Sequence, residues 1–123
     1  MLRFVMPFLA LIVLLPGSSL AKRAAPLRVE PVIQRGIRYT APNTDGRRGY
    51  VEAHEVSNNK KLWELTVFRN QIDPNLEEDV QWVFIKSLRL QDGALIVTTE
   101  RGRAYSVDLE SKAVKPLEAR PPK

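Results

Sequence analysis

The 123-residue chain has no cysteine and a single histidine, His54. The first absence removes disulfides and every thiolate metal centre. The second removes paired-histidine zinc sites, the HExxH helix and most nucleophile–base triads. Glycine is scarce too, with six residues, and none of them forms a GxGxxG cradle, a Walker loop or a GxSxG elbow. Past residue 15 there is no hydrophobic run approaching the roughly 20 residues that cross a bilayer. What remains is 44% hydrophobic and 27% charged, which is ordinary globular composition and too apolar for wholesale disorder. The length allows one domain.

The amino terminus reads as an export signal over residues 1–21. Arg3 gives a positive start, Phe4 to Leu15 is almost wholly apolar, and Pro16, Gly17, Ser18 and Ser19 break the run. Ser19-Leu20-Ala21 puts small residues where signal peptidase needs them for a cut before Lys22. A permanent anchor is disfavoured by the short run and by Pro7 inside it. A periplasmic or extracellular protein is therefore expected, with no integral membrane span in the mature chain. Because it lacks disulfides, the exported part must be held by burial and backbone pairing.

Charge divides the rest. Residues 22–48 carry seven basic and two acidic side chains, a net +5, whereas residues 49–123 carry eleven basic and twelve acidic. The pI of about 9.8 thus belongs to the segment 22–48. With Pro26, Pro31 and Pro42 this segment reads as a partly extended basic arm, with one strand expected between Val32 and Thr40. Such an arm could meet cell-wall polymer, lipid headgroups or nucleic acid. Its arginines are dispersed and only Tyr39 and Tyr50 offer stacking, so nucleic acid is not expected.

From Gly49 to Leu117 the pattern is β-type. Gly49–Val56 and Lys61–Arg69 alternate apolar and polar residues around Ser57-Asn58-Asn59-Lys60, a hairpin turn. Asp73-Pro74 with Glu77 and Glu78 predicts one short helical turn in 70–80. Trp82–Leu90 is apolar at both parities, which predicts a central, doubly buried strand. Asp92-Gly93 is a strong hairpin signal. Ala94–Glu100, Arg103–Leu109 and Ala113–Leu117 follow, and residues 118–123 form a proline-containing tail. The fold class is all-β: an antiparallel up-and-down meander of about six strands.

The body repeats itself. Gly49-Tyr50-Val51-Glu52-Ala53-His54-Glu55-Val56 aligns without gaps on Gly102-Arg103-Ala104-Tyr105-Ser106-Val107-Asp108-Leu109. In each copy glycine opens a strand, alternate residues pack inward, and an acid six residues later is placed to bond donors of the next turn. Ala53 to Trp63 resembles the ALDAxTGKxLW signature of quinoprotein-like β-propeller repeats, and Thr99 to Asp108 resembles the preceding dGxvYALD part. Asn59 and Lys112 stand where that family has turn glycines, and Glu55 replaces its Asp. The resemblance covers most of 49–115 and implies blade-like strands, about one and a half blades, with Trp63 packed between neighbouring blades. It implies no cofactor, since closure takes about four to eight blades.

Chemistry-bearing constellations are few. His54 beside Glu52 reads as a half-exposed surface residue, with Glu55 on the opposite face. Asp73 to Asp79 fails as an EF-hand, because Glu78 and Phe84 occupy the required Gly and Glu positions. A carboxylate hydrolase would need an acid-lined cleft near Glu52, Glu64 or Asp108. No catalytic, cofactor or metal residue is assigned. The expected role is a non-catalytic interaction module of the cell envelope, with another envelope protein or a second copy as partner. The candidate surface is Leu62, Phe68, Trp82, Phe84, Arg47 and Arg48, with Leu62 and Phe68 expected on the face opposite Trp63. The alternative is polyanion binding through the basic arm.

Overall fold

The computed structural model describes residues 25–26 and 28–117. The export signal expected over 1–21 and the tail expected over 118–123 lie outside the described residues. Eight strands are present: β1 Val32–Gln34, β2 Ile37–Thr40, β3 Arg48–Glu55, β4 Lys61–Arg69, β5 Ile85–Gln91, β6 Ala94–Thr99, β7 Ala104–Asp108 and β8 Val114–Leu117. All pairings are antiparallel, so the all-β meander expected from the alternation is what forms. The strands divide into two four-stranded sheets, β1-β2-β3-β4 and β5-β6-β7-β8, rather than one sheet of about six.

Two local features account for the difference. Residues 32–40, expected as one strand, fold back on themselves at Arg35-Gly36, where both residues have positive φ (54° and 76°). That is the requirement of a two-residue primed turn, which glycine meets freely and arginine only with strain. The hairpin then pairs onto β3 through Ile37↔Glu55, Arg38↔His54, Tyr39↔Ala53 and Thr40↔Glu52. Much of the basic segment is therefore the first half of a sheet. The second feature is the connection between β4 and β5, which crosses to a new layer instead of turning back.

The two sheets share one core. Tyr39, Val51, Ala53 and Val67 from the first meet Ile85, Leu88, Leu95, Val97 and Val107 from the second. Register explains the match: Val32↔Tyr39↔Ala53↔Trp63 is one inward row, and Leu90↔Leu95↔Val107↔Val114 is its counterpart. Phe68 of β4 stacks on Tyr105 of β7 with ring centroids 5.3 Å apart, and Lys112 lies 4.9 Å over the Trp63 ring. Trp63 thus packs between the sheets.

β-Bulges correct two sequence expectations. Gly49↔Phe68 and Tyr50↔Thr66 are successive pairs, so β4 carries an extra residue at Val67 and the parity beyond it is inverted. Phe68 therefore packs against the core on the same side as Trp63, not opposite it. In β5 the register shifts between Ile85 and Ser87, which lets Ile85 and Leu88, three apart, both face inward. This strand lies at the edge of its sheet, and Lys86, Ser87, Arg89 and Gln91 are exposed. It is not central and doubly buried. The apolar residues that made it look so, Trp82 and Phe84, precede the strand.

The aligned repeat segments take equivalent places. Gly49–Val56 and Gly102–Leu109 contribute β3 and β7, each the third strand of its sheet. The turns after them share a hydrogen-bond pattern 53 residues apart. Glu55 N–H donates to Lys60 C=O as Asp108 N–H donates to Ala113 C=O, and Asn59 N–H donates to Glu55 C=O as Lys112 N–H donates to Asp108 C=O. Asn59 (φ 60°) and Lys112 (φ 65°) hold the left-handed position in each. The acid of the second copy bonds as expected: Asp108 Oδ1 accepts the Glu110 and Ser111 amides, 2.8 Å each, which holds its carboxyl below the ordinary range.

Candidate functional site

The connection between β4 and β5 is the longest unpaired stretch between strands, and side chains pin it at many points. Asp73 does not cap a helix as its sequence context predicts. It caps a turn, accepting the Asn75 amide at 2.9 Å, and the single 3-10 turn comes later at Asp79–Gln81. Gln81 ties the two parts together: its Oε1 accepts the Asp73 amide at 2.7 Å, and its Nε2 donates to Asp73 and Glu77 carbonyls. Asn70 Nδ2 donates to the carbonyls of Gly46 and Val83, anchoring both ends of the connection to the loop before β3.

Glu78 is the electrostatic centre of this region. Its carboxylate accepts a two-pronged hydrogen bond from Arg47, at 2.6 and 2.7 Å, and a third from the Trp82 indole N–H at 3.1 Å. Those donors, Arg47 first, lower the Glu78 pKa from 4.5 to about 2. Trp82 in turn lies over Gly46 and meets Phe84 edge-on with centroids 6.2 Å apart. Phe84 is buried, and its amide donates to Glu100 Oε2 at 2.9 Å. Three members of the candidate surface, Arg47, Trp82 and Phe84, are thus brought together, as a scaffold more than as an open face.

The other three go elsewhere. Phe68 is taken up by its stack on Tyr105. Leu62 is exposed at the opposite end of β4. Arg48 lies on the outer face of the first sheet, donating to Glu64 at 2.7 Å and Thr66 at 2.6 Å and resting 4.1 Å over the Tyr50 ring. From there a charge network runs to Lys61, Glu52 and His54. His54 Nε2 lies 3.4 Å from Glu52 Oε1 with a side chain only 18% exposed, more enclosed than its position suggested, and its Nδ1 has no partner. The outer face of the first sheet is consequently polar and internally paired. Glu52 and Glu64 face each other across that sheet while Asp108 caps a turn of the other, so the three acids do not converge.

Two features escaped the sequence. Next to the pinned frame, Leu76 is 61% exposed and Val80 48%. Leu76 borders a groove lined by Arg47, Arg69, Ile72, Pro74 and Glu78. The four-residue spacing of this pair in a polar stretch was the available signal. Asn43, in contrast, left no trace beyond its tolerance of positive φ. It is buried at φ 55°, donates to the Ile85 carbonyl at 2.9 Å and accepts the Ile85 amide at 3.2 Å. Among the described residues no group of three His, Asp or Glu side chains is placed to hold a metal ion, and no helix is long and apolar enough to cross a membrane. No protein-family model matches the chain, and no curated protein matches it.

Proposed function

We propose that this is a small exported, non-catalytic β protein that works by binding another protein of the cell envelope. The connection between β4 and β5 is the contact surface. The observation that carries the reading is the exposure of Leu76 and Val80 on a connection held by a frame of side-chain hydrogen bonds. An unstructured loop would lose entropy on docking, whereas a pinned one has lost it already. The sheet edges are poorer candidates. β4 is bulged at two points and ends in Lys61 and Arg69, β8 contains Pro116, and β1 lies against β5. Those are the devices that blunt strand addition. The two four-stranded meanders also support a reading as two consecutive propeller-type blades, one more half-blade than the sequence pattern covers.

The basic segment fits polyanion binding less well. Arg47 and Arg48 are held by Glu78 and by Asp45 with Glu64, and Arg38 is bonded to Asn59. The test is site-specific photocross-linking in intact cells, with a benzophenone residue at 76 and a control at Ser111. The reading expects a discrete adduct from position 76 that disappears with Val80→Ser. Equal adducts from both positions, or none at 76, would remove it.

A further inference from the structure

The outer face of the second sheet gathers positive charge that the rest of the molecule leaves unanswered. Strand alternation sets this face: Leu95, Val97 and Val107 enter the shared core, so Ile96, Thr98 and Ser106 point the other way. Register extends it to an outward row, Arg89↔Ile96↔Ser106↔Lys115, with Ser87↔Thr98↔Ala104↔Leu117 beside it. Lys86 is exposed at the bulge next to Ser87. Among the described residues Lys86, Arg89 and Lys115 are in no ion pair, and Arg89 bonds only the neutral Gln91.

The first sheet supplies the contrast. Its outer face also carries cations, but Arg48 is held by Asp45 and Glu64, and Lys61 by Glu52 and Glu64. In the second sheet the acids are kept off the centre of the face. Asp92, Glu100 and Glu110 lie in turns, and Asp108, at the end of β7, accepts the amides of its own turn. Three strand spacings of about 4.8 Å put Arg89 and Lys115 about 14 Å apart on the two edge strands, too far for one small anion to meet both. An independent feature lies next to Lys115: Leu117, outward in the neighbouring row, is 40% exposed.

We infer that this face lies against a bilayer surface bearing anionic phospholipid headgroups. Cations on both edge strands, with small hydroxyl and alanine side chains between them, suit a broad anionic plane; a single polyanion strand is gripped by a furrow between raised walls. Leu117 gains contact with the headgroup boundary, which a polymer in water does not offer. The attachment is peripheral and electrostatic, so it weakens as salt rises. Each cation near an anionic leaflet strengthens adsorption about fivefold, and three together about a hundredfold. The face is separate from Leu76 and Val80, so either reading can fail without the other.

The experiment sediments the protein, purified from cells that express the whole chain, with vesicles of phosphatidylcholine alone or with about one-third phosphatidylglycerol. Binding is expected to the anionic vesicles only. Replacing Lys86, Arg89 and Lys115 together by glutamine should weaken it about a hundredfold, whereas the same replacement of Arg35, Lys60 and Arg69, which removes equal charge elsewhere, should cost less than about fivefold. Because the chain has no cysteine, Ser106→Cys can carry a single polarity-sensitive fluorophore. Its emission should shift to the blue on anionic vesicles, and that of the same label at Ser111→Cys should not; this readout serves if the triple variant folds poorly. No binding to anionic vesicles, equal binding to neutral ones, equal losses from the two triple variants, or a label at 106 that does not respond would overturn the assignment. So would retention by soluble polyphosphate without vesicle binding.

Discussion

Replacing Asn43 tests how the two sheets are joined. Its carboxamide satisfies both backbone groups of Ile85, a residue that is 1% exposed at the start of β5. In Asn43→Ala those two groups lose their partner. An unsatisfied buried polar group costs about 1–3 kcal/mol, and a water entering the vacated space recovers part of it, so about 2–4 kcal/mol is expected for the pair. Alanine must also hold φ near 55°, which costs about 1 kcal/mol more. The sum is about 3–5 kcal/mol, a large share of the roughly 5–15 kcal/mol that holds a domain together. Asn43→Gly loses the same hydrogen bonds without the backbone penalty and should be about 1 kcal/mol milder. Urea unfolding followed by fluorescence of Trp63, between the sheets, and Trp82, in the connection, measures both variants. A loss below about 1 kcal/mol for Asn43→Ala, or a glycine variant as unstable as the alanine one, would refute the reasoning.

Three further outcomes follow from the geometry. Gly49→Ala would bring a Cβ to 2.1 Å from the Phe68 ring, so it should destabilise by about 1–3 kcal/mol, and a double-mutant cycle with Phe68→Leu should recover part of the loss; additive losses would contradict it. The Glu78 pKa is lowered in the folded state, so its contribution to stability is present above the ordinary 4.5 and is lost as pH falls toward about 2. Denaturant midpoints measured across that window should fall more steeply for the native protein than for Glu78→Gln, and parallel curves would count against it. Arg35→Asn places a residue suited to the primed turn before Gly36 and should raise the melting temperature by a few degrees, about 0.5–1 kcal/mol; an unchanged or lower value argues otherwise.

Local chemistry in the sequence was a reliable guide where one residue pair decides the structure. Asp92-Gly93 and the Asn58-Asn59 turn formed where their tolerance of positive φ placed them, and alternation located β3, β4, β6 and β7. The gapless alignment of Gly49–Val56 on Gly102–Leu109 marked two strands that hold the same place in two sheets. Long-range geometry was not legible. Arg35 gives no turn signal of its own, so the β1–β2 hairpin read as one strand. A bulge leaves no compositional mark, and the one at Val67 moved Phe68 to the other face. Trp82 and Phe84 extended the apolar pattern of β5 without joining it, because the two rings pack on each other, Trp82 over Gly46, ahead of the strand. The partners of Glu78, 31 residues from Arg47 and four from Trp82, depend on where the connection lands after crossing between layers.

The account rests on two sheets sharing one core and acting as one cooperative body. Native-state amide hydrogen exchange measures this directly, strand by strand. Amides of Val51 and Ala53 in β3 and of Leu95, Val97 and Val107 in β6 and β7 should exchange with the same opening free energy, equal to that of global unfolding. A second sheet whose amides exchange at a distinctly lower free energy, while the first stays protected, would contradict it.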